Sequence, residues 1–212
     1  MTDTPILYSF RRCPYAMRAR LALQTSNQTC EIREVKLANK PDELIEASPK
    51  ATVPVLVLPG GQVVEESFEV MQWALSRSDP GGWLERADQP LIDANDGPFK
   101  YHLDRYKYPE RHASDPARHR AAGMDLLAVL NERLITQAFL SGEAMGLTDA
   151  AIMPFVRQFA NTDRAWFDAQ PLPALQSWLG QLLASPLFDA VMFRLKPWTP
   201  GDEPIFFPAN TA

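Results

Sequence analysis

Apolar and polar positions change period along this chain. Ile6-Leu7-Tyr8-Ser9-Phe10 is a short, nearly continuous apolar run of strand length. Over residues 14–24, Met17, Leu21 and Leu23 recur at helical spacing, with Arg18 and Arg20 off that face. Residues 30–35 alternate apolar and charged side chains, as a half-exposed strand does. Pro41-Asp42-Glu43-Leu44 puts proline and acids where a short helix begins. Residues 53–58 read as a buried strand, Pro59-Gly60-Gly61 as a turn, and Gln62-Val63-Val64 as the returning arm of a hairpin. Residues 67–76 are helical again, with Phe68, Met71 and Leu75 on one stripe. The predicted order is β-α-β-α-β-β-α, an α/β domain whose four-stranded mixed sheet carries helices on its faces.

Asp79-Pro80-Gly81-Gly82 breaks this pattern. The predicted domains are residues 1–78 and an all-α segment 90–212, joined by a linker over 79–89. The second part shows helical periods over 91–108, 116–139, 148–161, 173–184 and 187–194, and no strand. After Pro200-Gly201, the apolar Ile205-Phe206-Phe207 is expected to pack back on the body. The 19 prolines are spread out as helix starts and loop stops.

Composition narrows the function classes. The 212 residues are 46% hydrophobic and carry a net charge of −5. Residues 1–80 hold 9 basic and 10 acidic side chains, leaving 12 and 16 for the rest, so neither half is a basic platform for nucleic acid. The first residues lack the basic and apolar regions of a signal peptide, and no run approaches the roughly 18 apolar residues of a membrane helix. Two cysteines, Cys13 and Cys30, are too few for a disulfide scaffold and fit a reducing cytoplasm. His102, His112 and His119 show no metal-ligand spacing with cysteine, so no metal is expected.

The chemistry concentrates at Phe10-Arg11-Arg12-Cys13-Pro14-Tyr15-Ala16. A strand ends, cysteine follows, and proline opens a helix, which makes Cys13 the N-cap. The unpaired amides of the first turn and the positive end of the helix dipole favour thiolate there. Arg11, Arg12 and Arg18 would add positive charge if they point inward. Cys30, inside an alternating strand, reads instead as a small buried hydrophobe. In Thr52-Val53-Pro54-Val55 a proline without an N–H opens a core strand, and a cis peptide there would turn the Val53 backbone outward toward an extended ligand. Val64-Glu65-Glu66-Ser67 lies at a strand-to-helix junction. Ser67 can cap the helix, and its hydroxyl, the helix-start amides and the acid could together take a zwitterionic head group; a plain capped helix is the other reading.

Together these features resemble the glutathione transferase superfamily, over nearly the whole chain, and the Cys-Pro-Tyr-Ala form is closest to its cysteine-bearing omega-like and bacterial members. The resemblance implies a thioredoxin-like first domain and an all-helical second one. Cys13-Pro14-Tyr15 matches the active-site turn, Val53-Pro54 the cis-proline element, Glu66-Ser67 the γ-glutamyl-binding pair, and Lys40-Pro41 a basic position that often holds the glycine carboxylate. Gly146-Leu147-Thr148-Asp149 resembles the capping motif of the central buried helix, with Gly146 where the family has Ser or Thr. The resemblance implies glutathione as co-substrate, cytoplasmic localisation and a homodimer.

With Ala16 where dithiol relatives carry a second cysteine, a monothiol route follows: thiol transfer through a Cys13–glutathione mixed disulfide, on a glutathionylated or disulfide substrate or a small electrophile. The alternatives are conjugation of glutathione to an electrophile, with Tyr8, Ser9 or Tyr15 assisting, and a binding protein without turnover. In residues 99–108, Phe99, Leu103 and Tyr106 share one face. Tyr101, Arg105 and Tyr108, with Tyr15, are candidates for an acceptor pocket; a packed face backed by a solvated charged one is the alternative.

Overall fold

The computed structural model describes residues 4–208. The first elements are β1 (Ile6–Ser9), α1 (Pro14–Ser26), β2 (Cys30–Glu34), α2 (Asp42–Ala47), β3 (Val55–Val57), β4 (Val63–Val64) and α3 (Ser67–Arg77). β1 pairs in parallel with β2, Leu7 opposite Ile32, and antiparallel with β3, Leu7 opposite Leu56. β4 pairs antiparallel with β3. A strand with neighbours on both sides and helices over the sheet is buried on both faces, which is why β1 reads as a run instead of an alternation.

α1 packs against α3. The charged positions expected off its apolar face are not solvated: Arg18 and Arg20 are each 1% exposed. Arg20 follows Met17 by three residues and so lies on the same side of the helix.

The helices of the second unit are α4 (Gln89–Ala94), α5 (Lys100–Lys107), α6 (Pro109–His112), α7 (Pro116–Thr136), α8 (Leu147–Ala160), α9 (Arg164–Asp168) and α10 (Pro173–Leu183). The single helix predicted over 91–108 is interrupted by a wider π turn over Asn95–Phe99. Pro98 lies inside it and has no amide to donate, so the regular hydrogen-bond register cannot run through. α6 and α9 are too short to show a period in sequence.

α8 is buried along most of its length. Its Asp149 carboxylate is a buried acceptor for the N–H groups of Leu140 (2.7 Å), Ser141 (3.0 Å), Gly146 (3.1 Å) and the Trp178 indole (2.8 Å). Gly146 caps the helix without a side chain because there is no room for one: a Cβ there would lie 2.6 Å from Ser141 Oγ and 2.7 Å from Ser141 Cβ. Phe99, Leu103 and Tyr106 form one buried face, and the rings of Phe99 and Tyr106 lie 5.5 and 5.0 Å from Phe159. At Gly123 a Cβ would meet the Phe159 ring at 2.6 Å, so glycine is what lets α7 close on α8 there.

The chain then returns to its beginning. α11 (Pro186–Val191) packs on α1, and β5 (Phe206–Phe207) pairs antiparallel with β2, Cys30 opposite Phe207. Among the described residues the sheet therefore has five strands, in the order β4-β3-β1-β2-β5, where four were predicted. The compact units are residues up to Gly81 with those from Pro186 onward, and Gly82–Ser185. The predicted 90–212 segment differs from this at both ends. Trp83 is buried and Arg86 bonds the Met145 carbonyl within the second unit, and the Phe206-Phe207 apolar pair finds its partner in β2. Among the described residues no helix is long and apolar enough to cross a membrane.

Candidate active site

The site grows from the end of β1. Past Phe10 the chain turns, closed by the Cys13 N–H donating to the Phe10 carbonyl at 3.0 Å. Cys13 is the N-cap of α1, in extended backbone, and Pro14 opens the helix. The sulfur makes no capping hydrogen bond to the first turn; the thiol donates instead to the Val53 carbonyl at 3.6 Å. That contact favours the protonated form, while the helix dipole favours the thiolate. Cys13 is half-buried and packs beside the cluster of Tyr8, Val35, Leu44, Val53 and Val55.

The Val53–Pro54 peptide is cis, and β3 begins only at Val55. Among the described residues the Val53 N–H has no protein acceptor. Ser67, expected as a cap, is instead the buried first residue of α3; Glu66 is the N-cap, and no side chain caps the first turn. The Glu66 carboxylate is exposed and meets the Lys50 ammonium at 3.0 Å, with Glu65 on the same ammonium at 3.2 Å. Lys40 stands half-buried ahead of α2, with no hydrogen bond or ion pair among the described residues. The structure thus joins Cys13 to Val53 directly and ties Glu66 to Lys50, a residue that sequence reasoning did not single out.

Two more residues were missed. The Arg20 guanidinium donates to the Arg11 carbonyl and to Ser9 Oγ, each at 2.7 Å. The Glu34 carboxylate accepts the Arg11 N–H through both oxygens, at 2.9 and 3.1 Å. Burial pushes the Glu34 carboxyl up; the bond from Arg11 and the charge of Arg20 oppose that. Of the arginines expected to bring charge to Cys13, Arg12 is exposed and lies over the Phe10 ring, and Arg18 is buried beside Tyr15.

The other thiol is sealed. Cys30 is 0% exposed and its thiol donates to the Phe207 carbonyl at 3.3 Å; burial pushes its pKa far up. Tyr8 and Ser9 are also committed. Tyr8 is buried, its hydroxyl accepts from Arg33 at 3.0 Å, and burial raises its pKa; Ser9 holds Arg20.

Within the second unit, Tyr101 is 50% exposed, with the Arg105 guanidinium 3.5 Å above its ring. Tyr108 lies under Arg111 at 4.3 Å. His102 and His119 face each other, Nδ1 to Nδ1, at 2.8 Å. Among the described residues no group of three His, Cys, Asp or Glu could hold a metal ion.

Residues 7–82 match the family model "Glutathione S-transferase, N-terminal domain", and residues 83–181 match "Glutathione S-transferase, C-terminal domain". The chain is 29% identical over 203 residues to a probable glutathione S-transferase BZ2 of Zea mays, covering 84% of this chain and 86% of that protein. It is 26% identical over 195 residues to glutathione S-transferase omega-1 of Sus scrofa, covering 87% and 79%. A crystal structure of a glutathione transferase family member from Pseudomonas fluorescens, with two glutathione bound, has the same fold: TM-score 0.75 at 17% identity, over 90% of this chain and 92% of that one.

Proposed function

Because the chain belongs to the glutathione S-transferase family, we propose that it is a glutathione-dependent thiol transferase acting through Cys13. The observation that carries this reading is the half-exposed Cys13 at the start of α1, bonded to the Val53 carbonyl, while the molecule's other thiol is sealed. The likeness to an omega-1 enzyme supports it.

Glutathione would lie along Val53, whose N–H is unpaired, with its γ-glutamyl end at Glu66 and Ser67 and its glycine carboxylate toward Lys40. To bind there its ammonium must displace Lys50 from Glu66. The Cys13 thiolate then attacks the glutathionyl sulfur of a mixed disulfide. The Cys13–glutathione bond forms as the substrate's sulfur–sulfur bond breaks, and the substrate leaves as a thiolate. A second glutathione thiolate attacks the glutathionyl sulfur on Cys13, yielding oxidised glutathione and free Cys13. Ala16 and the buried Cys30 leave no internal thiol to compete. Tyr101, exposed on α5 under the Arg105 guanidinium, and the partly buried Tyr108 that follows α5 are the candidates for contacting the acceptor substrate.

Conjugation through Tyr8 or Ser9 is disfavoured, since both are buried and already bonded. Turnover of a glutathione–mercaptoethanol mixed disulfide by Cys13→Ser tests the proposal. A loss of at least about 100-fold is expected; full activity in the variant would overturn it. Activity on an aryl halide that survives in the same variant would favour conjugation. The cytoplasmic, dimeric state implied by the family is a further part of this proposal, read by fractionation and by light scattering.

A further inference from the structure

Arg11 stands two residues before the sulfur, and its peptide groups are held from both sides. Its N–H is gripped by the Glu34 carboxylate and its carbonyl by the Arg20 guanidinium. Arg20 comes from inside α1, not from the surface, and is fully sequestered. Its fork bridges Ser9, the last residue of β1, to Arg11 in the turn. Met192, from the C-terminal return, closes over it with Sδ at 3.9 Å, and the Trp198 N–H bonds the Glu34 carbonyl at 2.8 Å. A surface ion pair would be worth little here, but a buried cation keeps its charge effective over several ångströms.

We propose that Arg20 is a positioning residue of the Cys13 site: it fixes the path of the turn through the Arg11 carbonyl and buries a positive charge on the turn that leads to the sulfur. This rests on the reading of Cys13 as the nucleophile. Glu34 completes the clamp at the Arg11 amide, and its negative charge favours the charged guanidinium of Arg20. Burial lowers the Arg20 pKa to about 10, and negative charge at Glu34 and at Cys13 opposes that fall. The coupling is reciprocal: what a Cys13 thiolate does for the guanidinium, the guanidinium does for the thiolate.

The test is the pH dependence of Cys13 alkylation by iodoacetamide, with the modified residue identified by mass spectrometry. Wild type is compared with Arg20→Met and Arg20→Lys, and the melting temperature of each is recorded. Arg20→Met is expected to move the alkylation midpoint up by about one pH unit, a tenfold loss of thiolate below it. Arg20→Lys keeps a charge but cannot bridge Ser9 and Arg11 together, so its midpoint should rise by about half as much. A purely structural role would lower the melting temperature and leave the midpoint in place, and that result overturns the proposal. If Arg20→Met does not fold, Arg20→Lys decides alone, by a raised or an unchanged midpoint. A wild-type midpoint near the ordinary thiol value of about 8.5 would overturn the reading of Cys13 itself, and Arg20's role with it.

Discussion

Cys13 and Cys30 carry the same thiol and differ only in surroundings. Cys13 sits at a helix start and is only partly buried; Cys30 is fully buried beside β5, and burial raises its pKa. A disulfide reagent at neutral pH should therefore titrate one thiol quickly in the native protein and two after denaturation. Two fast native thiols would contradict the sealing of Cys30. Asp149 ties the start of α8 to the loop before it and to α10, because a single buried carboxylate accepts four N–H groups. Asparagine can supply only one of its two acceptor oxygens and would turn an NH2 toward existing donors. Asp149→Asn should cost about 3 kcal/mol, read from urea unfolding.

At the scale of elements, helix ends in the second unit are held by their own N-cap side chains or by a side chain from another helix. Asn131 of α7 accepts the Ala174 and Leu175 amides at 3.1 and 3.2 Å, capping α10, whose own N-cap Leu172 cannot. Asn131→Ala should lose about 1–2 kcal/mol. Asp88 caps α4 through the Leu91 N–H and pairs with Arg133 of α7 at 2.5 Å. The Arg133 guanidinium, helped by the Leu91 amide, holds the Asp88 carboxyl below its ordinary 3.8. A depressed carboxyl pKa contributes stability above the unfolded value and loses it as pH falls through the folded one. Asparagine still caps the helix, so Asp88→Asn should cost only the ion pair, about 0.5 kcal/mol at neutral pH, and the gap to wild type should narrow as pH falls below about 3.8 in a pH series of unfolding curves. A pH-independent gap would mean the ion pair contributes nothing.

For the whole molecule, the decisive feature is that the chain's end completes the sheet at its beginning. Ending the chain at Ser185 removes α11 and β5, uncovering Cys30 and the Met192 contact on Arg20. Native alkylation of Cys30 should then rise by about tenfold or more; unchanged protection would show that β2 is sealed without β5. The order of the first seven elements, the helical second half, and the placement of Cys13 before the proline that opens α1 were legible in sequence, because period, proline placement and turn residues are local properties. β5 was not legible, since a pair of phenylalanines becomes a strand only when a distant edge supplies its hydrogen bonds. The break at Pro98 was masked by a continuous apolar period on either side. Arg20, Glu34 and Lys50 were invisible for the same reason as β5: a charged side chain reads as solvated until folding brings its partners to it. Local chemistry along the chain determined what this protein is built from and that Cys13 stands where a helix begins. Only long-range packing decided which charges are buried on the turn before that cysteine, because burial and pairing are properties of neighbours in space.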